Sequence, residues 1–128
     1  MRSPYRSTNW NPPAPVLDVR VGGPMGRADF FQPCEALLDS GADVTAIPVD
    51  LVQRLGLLPV SSVIVDRGGL PGDEEENLYA ATVEVTLLGQ RTIQVLQTMD
   101  PFALLGRDII NELRLVLDGP AGELEVRV

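Results

Sequence analysis

Residues 35–43 have the sequence Glu35-Ala36-Leu37-Leu38-Asp39-Ser40-Gly41-Ala42-Asp43, in which a short apolar run ends at a polar turn that contains glycine. This pattern is typical of a buried strand that enters a tight loop. A second segment repeats it, because Ala103-Leu104-Leu105 runs into Gly106-Arg107-Asp108. The two segments predict two buried strands, each followed by a loop with an acidic side chain.

The remainder of the chain predicts an all-β domain of short strands. Its 12 glycines and 11 prolines provide many turns, and apolar residues alternate with polar ones at the period of a half-buried strand. Strands are expected at 16–21, 60–65, 78–88, 92–98, 113–117 and 124–128, with a helical turn at 49–55 and a short helix at 108–113. One domain spans residues 16–128, and the proline-rich residues 1–15 are predicted to be a flexible or edge arm.

Charge and hydropathy argue against several partners. The formal net charge is −8, so a phosphate backbone would be repelled and nucleic-acid binding is not expected. No apolar run approaches the roughly 18 residues that span a bilayer, and the basic start lacks the apolar core of a secretory signal. We therefore expect no membrane partner and a cytoplasmic location.

The chain contains no histidine and one cysteine, Cys34. The absence of histidine excludes Ser-His and Cys-His catalysis and any zinc site that needs imidazole. Cys34 has no histidine to activate it, which favours a packing role over a nucleophilic one. No metal or cofactor is predicted, so carboxylates are the leading candidates for chemistry.

At these residues the chain resembles the retropepsins, the retroviral aspartic protease family. Glu35 to Asp43 is similar to the active-site strand and loop of that family, and Leu104-Leu105-Gly106-Arg107-Asp108 is similar to its second signature. The resemblance implies a retropepsin-like acid protease barrel with one short C-terminal helix and one lobe per chain. It also implies a flap at the glycine-rich turn 68–72.

The resemblance assigns roles residue by residue. It implies that Asp39 is catalytic and that Ser40 and Gly41 support the active-site loop. As a glycine, Gly41 would let the backbone approach the substrate closely or adopt a positive φ. Substrate binding is implied for Gly41, Ala42 and Asp43 and for the flap residues Gly68, Gly69 and Leu70. Arg107 is implied to form an ion pair with Asp43. For Asp108, the position at the start of the short helix instead favours a capping role.

The number of signatures of the Asp39 type predicts how many copies of the chain form the active enzyme. Hydrolysis by this chemistry needs one carboxylate to take a proton from water and a second, protonated carboxyl to polarise the peptide carbonyl. The pattern around Asp39 occurs once, so a homodimer is the simplest way to supply two such groups. An extended peptide or polyprotein is the expected substrate, and the terminal strand 123–128 is a candidate for the dimer contact.

Two alternatives remain open at this stage. The fold also suits a catalytically silent dimerisation domain or a peptide-binding module, although an intact Asp39-Ser40-Gly41 argues for an enzyme. The acidic run Asp73-Glu74-Glu75-Glu76 is either a solvated face or a source of repulsion between two flaps. The second interpretation predicts more activity at about pH 4–6 than at about pH 7.5.

Overall fold

The computed structural model describes residues 1–24, 30–65 and 74–128, and the elements below lie within those ranges. The strands are β1 (Arg2–Pro4), β2 (Val16–Gly22), β3 (Gln32–Leu38), β4 (Ala46–Pro48), β5 (Pro59–Val65), β6 (Glu74–Val85), β7 (Gly89–Thr98), β8 (Ala103–Leu105), β9 (Arg114–Asp118) and β10 (Glu123–Arg127). The helices are α1 (Val49–Arg54) and α2 (Arg107–Ile110). The all-β prediction is therefore confirmed.

Six strands close into a barrel in the order β2-β3-β8-β4-β7-β6, and the pairing of β2 with β6 completes the ring. Most neighbours are antiparallel, but β3 and β8 run parallel, as do β4 and β7. The long β6 makes the closure possible, because its first half pairs with β5 and its last four residues pair with β2. The two apolar signatures of the sequence therefore lie side by side in one barrel wall.

The barrel interior is filled by the apolar half of each alternating strand. On β2 the residues Leu17, Val19 and Val21 are buried, whereas Asp18 and Arg20 between them are exposed. Side chains of successive strand residues point to opposite faces, so this alternation follows directly from the sequence. These three residues belong to one buried hydrophobic core. It also includes Ala36, Ile47, Val83, Val85, Val95, Ala103, Leu105, Ile109, Leu124 and Val126.

A second, three-stranded sheet in the order β1-β10-β9 joins the two ends of the described chain. Leu124 and Val126 of β10 are fully buried and attach this sheet to the barrel. Farther along the arm, Arg6 donates to Asp18 at 2.8 Å and to Glu35 at 2.6 Å. Residues 1–6 thus contact both sheets.

The structure corrects several element boundaries. The strand expected at 92–98 begins earlier, at Gly89. The strand expected at 78–88 begins earlier, at Glu74, and ends at Val85, because Leu87 and Gly89 have positive φ angles of 72° and 83° and form the turn. The helix expected at 108–113 is the shorter α2. The flap turn 68–72 and Asp73 lie outside the described residues. No helix in the described ranges is long and apolar enough to cross a membrane.

Candidate active site

Asp39 stands at the end of β3, in the barrel wall that β3 shares with β8. Leu37 is in register with Leu104 and Leu38 with Leu105. The parallel pairing continues one residue further, because the Asp39 backbone N–H donates to the Leu105 carbonyl at 3.0 Å. The second signature therefore fixes the position at which the first one leaves the sheet.

The loop that follows folds back on the Asp39 side chain. The Gly41 N–H donates to Asp39 Oδ1 at 3.0 Å, and the Ala42 N–H donates to the Asp39 carbonyl at 3.2 Å. A Cβ on Gly41 would lie 3.2 Å from Asp39 Oδ1. Gly41 does not have a positive φ, unlike Gly56. The close approach to Asp39 Oδ1 accounts for a glycine here, and the alternative of a positive φ is wrong. The expected close approach to substrate stays a prediction.

Arg107 holds the loop from its exposed side. Its guanidinium donates to the Ser40 carbonyl at 2.7 Å and forms an ion pair with Asp43, while its backbone N–H donates to the Ala42 carbonyl at 2.8 Å. The side chains of Arg107 and Asp43 are 43% and 80% exposed. We call Arg107, Asp43 and the Ser40 carbonyl the outer support.

A buried network holds the same loop from within. The Thr45 hydroxyl donates to Asp108 Oδ1 at 2.6 Å and accepts from the Gly106 N–H at 3.1 Å. The Thr45 N–H donates to Asp108 Oδ2 at 3.0 Å. Thr45 is fully buried and Gly106 is buried. We call Thr45, Gly106 and Asp108 the inner support.

The inner support overturns the interpretation of Asp108 as a helix cap. The residue before α2 is Gly106, and no side chain caps the helix. Asp108 lies inside the first turn, and its carboxylate accepts two hydrogen bonds from Thr45, 63 residues earlier in the chain. A partner that distant leaves no local pattern, so sequence reasoning missed Thr45.

Gly106 is required by the closeness of the two loops. A Cβ at this position would lie 2.7 Å from the Val44 carbonyl carbon, 2.9 Å from the Val44 oxygen and 3.0 Å from the Ala42 oxygen. These atoms belong to the backbone and cannot swing aside. The glycine therefore allows the β8–α2 corner to pack directly against the Asp39 loop.

An apolar surface adjoins the loop on the outer face of β3 and β8. Leu37 and its register partner Leu104 are half-buried, whereas Ala36 and Ala103 beside them are buried in the core. Phe102 precedes β8 and contacts Trp10 of the arm, with ring centroids 5.3 Å apart. Sequence reasoning missed the Trp10–Phe102 pair because the rings lie far apart in the chain.

The remaining candidates occupy varied positions. Ser40 is exposed, and Gly41, Ala42 and Asp43 line one loop with Asp39. The flap candidates Gly68, Gly69 and Leu70 lie outside the described residues. Cys34 packs against the core, and burial raises the pKa of its thiol, which disfavours the thiolate. Among the residues that the structure describes, no cluster of acidic or cysteine side chains is arranged to hold a metal ion.

Solved structures with this fold include three from retroviruses. The Simian Foamy Virus (mac) protease has 18% identity and a TM-score of 0.58, with 76% of this chain and 92% of that chain covered. The EIAV protease in complex with the inhibitor HBY-793 has 24% identity and a TM-score of 0.56, with coverages of 81% and 93%. The Prototype Foamy Virus protease-reverse transcriptase has 18% identity and a TM-score of 0.57, with 77% of this chain and 11% of that chain covered.

These likenesses confirm the predicted retropepsin-like barrel with one lobe per chain. No curated protein matches the sequence. The family model described as retroviral aspartyl protease matches residues 11–118, a range that contains both signatures and both supports of the Asp39 loop. The chain belongs to the retroviral aspartyl protease family.

Proposed function

We propose that this chain is an aspartic endopeptidase that acts as a homodimer and hydrolyses peptide bonds through a water molecule activated by two Asp39 carboxyls. Membership of the retroviral aspartyl protease family supports a peptidase. The observation that carries the proposal is the geometry of Asp39, whose carboxylate accepts a hydrogen bond from Gly41 in a loop braced on two sides. A side chain fixed in this way is preorganised for chemistry.

The proposed reaction divides the work between two identical residues. Two carboxyls a few Å apart do not both ionise, so the pair carries one proton. The ionised Asp39 takes a proton from water, and the protonated Asp39 of the second copy donates a hydrogen bond to the scissile carbonyl. The oxyanion that forms is stabilised by this donor, and the leaving amine receives the proton taken from water.

The substrate is proposed to be an extended segment of a peptide or polyprotein. Backbone groups of Gly41, Ala42 and Asp43 would form strand-like hydrogen bonds with it on one side, and the flap residues 68–70 on the other. The half-buried Leu37, Leu104 and Phe102 form an apolar surface beside the loop. Apolar side chains of the substrate are therefore expected next to the cleaved bond.

Incubation with a diverse peptide mixture at several pH values tests this function. We compare the wild type with Asp39→Asn, and with Asp100→Asn as a control, because Asp100 is an exposed carboxylate in the loop before β8. Cleavage by the wild type and by Asp100→Asn, with none by Asp39→Asn, is the expected result. Cleavage that Asp39→Asn retains would contradict the proposal.

The same assay separates the alternatives. Peptide binding without cleavage would indicate a binding module, and a dimer that neither binds nor cleaves would indicate a dimerisation domain. We also expect more cleavage at about pH 4–6 than at about pH 7.5, because the shared proton is retained at lower pH. An alkaline optimum would count against a dyad of carboxyls.

A further inference from the structure

The arm forms a closed loop against the barrel. Arg6 and Ala14 exchange two backbone hydrogen bonds, each 2.9 Å long, and so close the arm loop, which we define as residues 6–14. The guanidinium of Arg6 donates to Glu35 of β3 at 2.6 Å and thereby attaches the base of this loop to the barrel wall. Trp10 lies halfway along the arm loop, and its side chain is half-buried. The arm therefore holds one large ring in a fixed position at the barrel surface.

The ring of Trp10 adjoins the strand face to which the Asp39 carboxylate belongs. Side chains two residues apart on a strand point to one face, so Leu37 shares the face of Asp39 on β3. On β8, Leu104 is the register partner of Leu37, and Phe102 lies two residues before it. The centroids of the Phe102 and Trp10 rings are 5.3 Å apart, and we call these two residues the aromatic pair. One row of side chains thus runs from Asp39 through the two leucines to the aromatic pair.

The length of this row determines which substrate side chains can reach its end. Phe102 directly precedes Ala103, the register partner of Ala36. It therefore lies level with residue 35, four residues before Asp39. At a rise of about 3.3 Å per residue, the aromatic pair is about 13 Å from Asp39 along β3. A small side chain beside the cleaved bond would meet only the leucines, whereas a large one would approach the rings.

The aromatic pair has a surface that suits a third ring. Both side chains are half-buried, so neither ring is fully covered by the protein. The two rings are inclined at 51°, and aromatic rings prefer tilted or offset contacts over face-to-face stacking. Glu35, level with Phe102, is bonded to Arg6 and ends the apolar part of the row. One aromatic side chain of a substrate would therefore complete an apolar cluster that an ion pair bounds.

We propose that Trp10 is a specificity-determining residue of the peptidase, which together with Phe102 forms the far wall of a subsite for a large aromatic side chain next to the cleaved bond. The inference rests on the proposed function and narrows its substrate class from apolar to aromatic. Trp10 lies outside residues 11–118, the range that the family model matches. The wall is thus an addition that the arm makes to the barrel.

Substitution of Trp10 tests the subsite with peptides that differ at one side chain. A peptide that the wild type cleaves is synthesised with phenylalanine or with alanine on the N-terminal side of the cleaved bond, and kcat/KM is measured for both. We expect the wild type to prefer phenylalanine by at least about tenfold. Trp10→Ala should lower this preference by about threefold to tenfold, and Trp10→Phe should restore most of it, because a ring returns to the wall.

The ratio of the two kcat/KM values is a readout that a purely structural role of Trp10 would not change. Misfolded enzyme lowers both values by the same factor and leaves their ratio unchanged. Tyr5→Leu is the matched control, because Tyr5 belongs to the same arm but packs against the hydrophobic core. It should keep the wild-type preference. An unchanged preference in Trp10→Ala, or a wild type that prefers neither peptide, would overturn the inference while cleavage itself upholds the proposed function.

Trp10 is the only tryptophan of the chain, so its fluorescence reports directly on this wall. Asp39→Asn, which should bind peptide without cleaving it, is titrated with phenylalanine and alanine versions of one extended peptide, and the anisotropy of a dye on the peptide reports binding separately. We expect the phenylalanine version to shift the Trp10 emission at saturation and the alanine version to leave it nearly unchanged.

This titration separates the inference from the proposed function. A shift of the Trp10 emission without cleavage by the wild type would refute the peptidase and uphold the subsite. Absence of binding, or binding of the phenylalanine version without a change in emission, would overturn the inference.

Discussion

The Asp39 loop is held from two sides by supports of opposite character. The inner support uses a buried hydroxyl, a buried glycine and a carboxylate with two hydrogen bonds. The outer support uses an ion pair between side chains that are 43% and 80% exposed. A buried polar group that loses its partner costs far more free energy than an exposed ion pair contributes. We therefore expect the inner support to maintain the fold and the outer one to position the loop.

Gly106→Ala should produce the largest effect, because it breaks the inner support by steric overlap. The added Cβ would lie 2.7 Å from the Val44 carbonyl carbon. Overpacking of a well-packed interior costs about 1–3 kcal/mol and occasionally more, and backbone neighbours place this case at or above the upper limit. Chemical denaturation measures the loss, with Gly119→Ala as the control, since a Cβ on Gly119 meets nothing within 4 Å. Equal stability of the two variants would contradict the packing argument.

Thr45→Val breaks the inner support without changing its volume. The hydroxyl donates to Asp108 and accepts from the Gly106 N–H, so its removal leaves both groups without that partner. Asp108 is half-buried and keeps its bond from the Thr45 N–H, so the Gly106 N–H is the buried group left unsatisfied, at a cost of about 1–3 kcal/mol. We expect the free energy of unfolding to fall by about 1–3 kcal/mol.

Thr82→Val is the matched control for that measurement. Thr82 is also buried, but its hydroxyl bonds to a second hydroxyl, that of Thr92, at 3.0 Å. Thr92 is exposed and can bond to water instead. A loss in Thr45→Val no larger than the loss in Thr82→Val would show that the inner support contributes little.

The two supports also differ in how far the sequence predicted them. The pairing of Asp43 with Arg107 was expected from the resemblance of the two signatures, and the structure joins these side chains. The inner support was not foreseen, because nothing near Asp108 in the chain indicates Thr45. Strand positions followed well from period-2 alternation on β2 and β9. The closure of the barrel depends on which strands pair. Alternation shows which face of a strand is buried, but it does not show which other strand pairs with it.

The terminal sheet illustrates the same limit. The alternation of Leu124 and Val126 predicted a strand near the end of the chain, and β10 is there. Its partner β1 lies in a proline-rich arm whose three strand residues are too few to show a period. Short strands of this kind are specified by the surface on which they lie, which a single sequence does not display.

Arg107→Ala removes the outer support and should affect activity more than stability. Its guanidinium bonds are exposed, so we expect a loss of about 1 kcal/mol in the free energy of unfolding. Misplacement of a catalytic loop by about 1 Å can cost a hundredfold in rate, so peptide cleavage should fall by about tenfold to a hundredfold.

Arg91→Ala is a close control, because Arg91 also bonds a carboxylate, Glu112, and two backbone carbonyls at the surface. The two variants should be destabilised similarly, and only Arg107→Ala should lose activity. Equal cleavage by both variants would show that the guanidinium of Arg107 does not position the loop.

Asp43→Asn should have the smallest effect on stability, because it removes one charge from an ion pair whose carboxylate is 80% exposed. Exposed pairs contribute about 0.2–1 kcal/mol, and the difference from the wild type should shrink at about 1 M salt, where the screening length is about 3 Å. Asp50→Asn, which breaks the exposed pair with Arg54 at 3.0 Å, should show the same small, salt-dependent change.

The two variants differ in what surrounds the lost charge, so activity distinguishes them. Asp43 lies in the Asp39 loop, where we propose that it holds the substrate backbone, whereas Asp50 is in α1. If Asp43 contacts bound peptide, Asp43→Asn should raise KM for peptide cleavage with little change in kcat, since binding common to the ground and transition states is lost. A fall in kcat at unchanged KM would instead indicate that Asp43 acts through the geometry of Asp39. The outer support would then only orient the Asp39 loop, and other residues would contact the substrate.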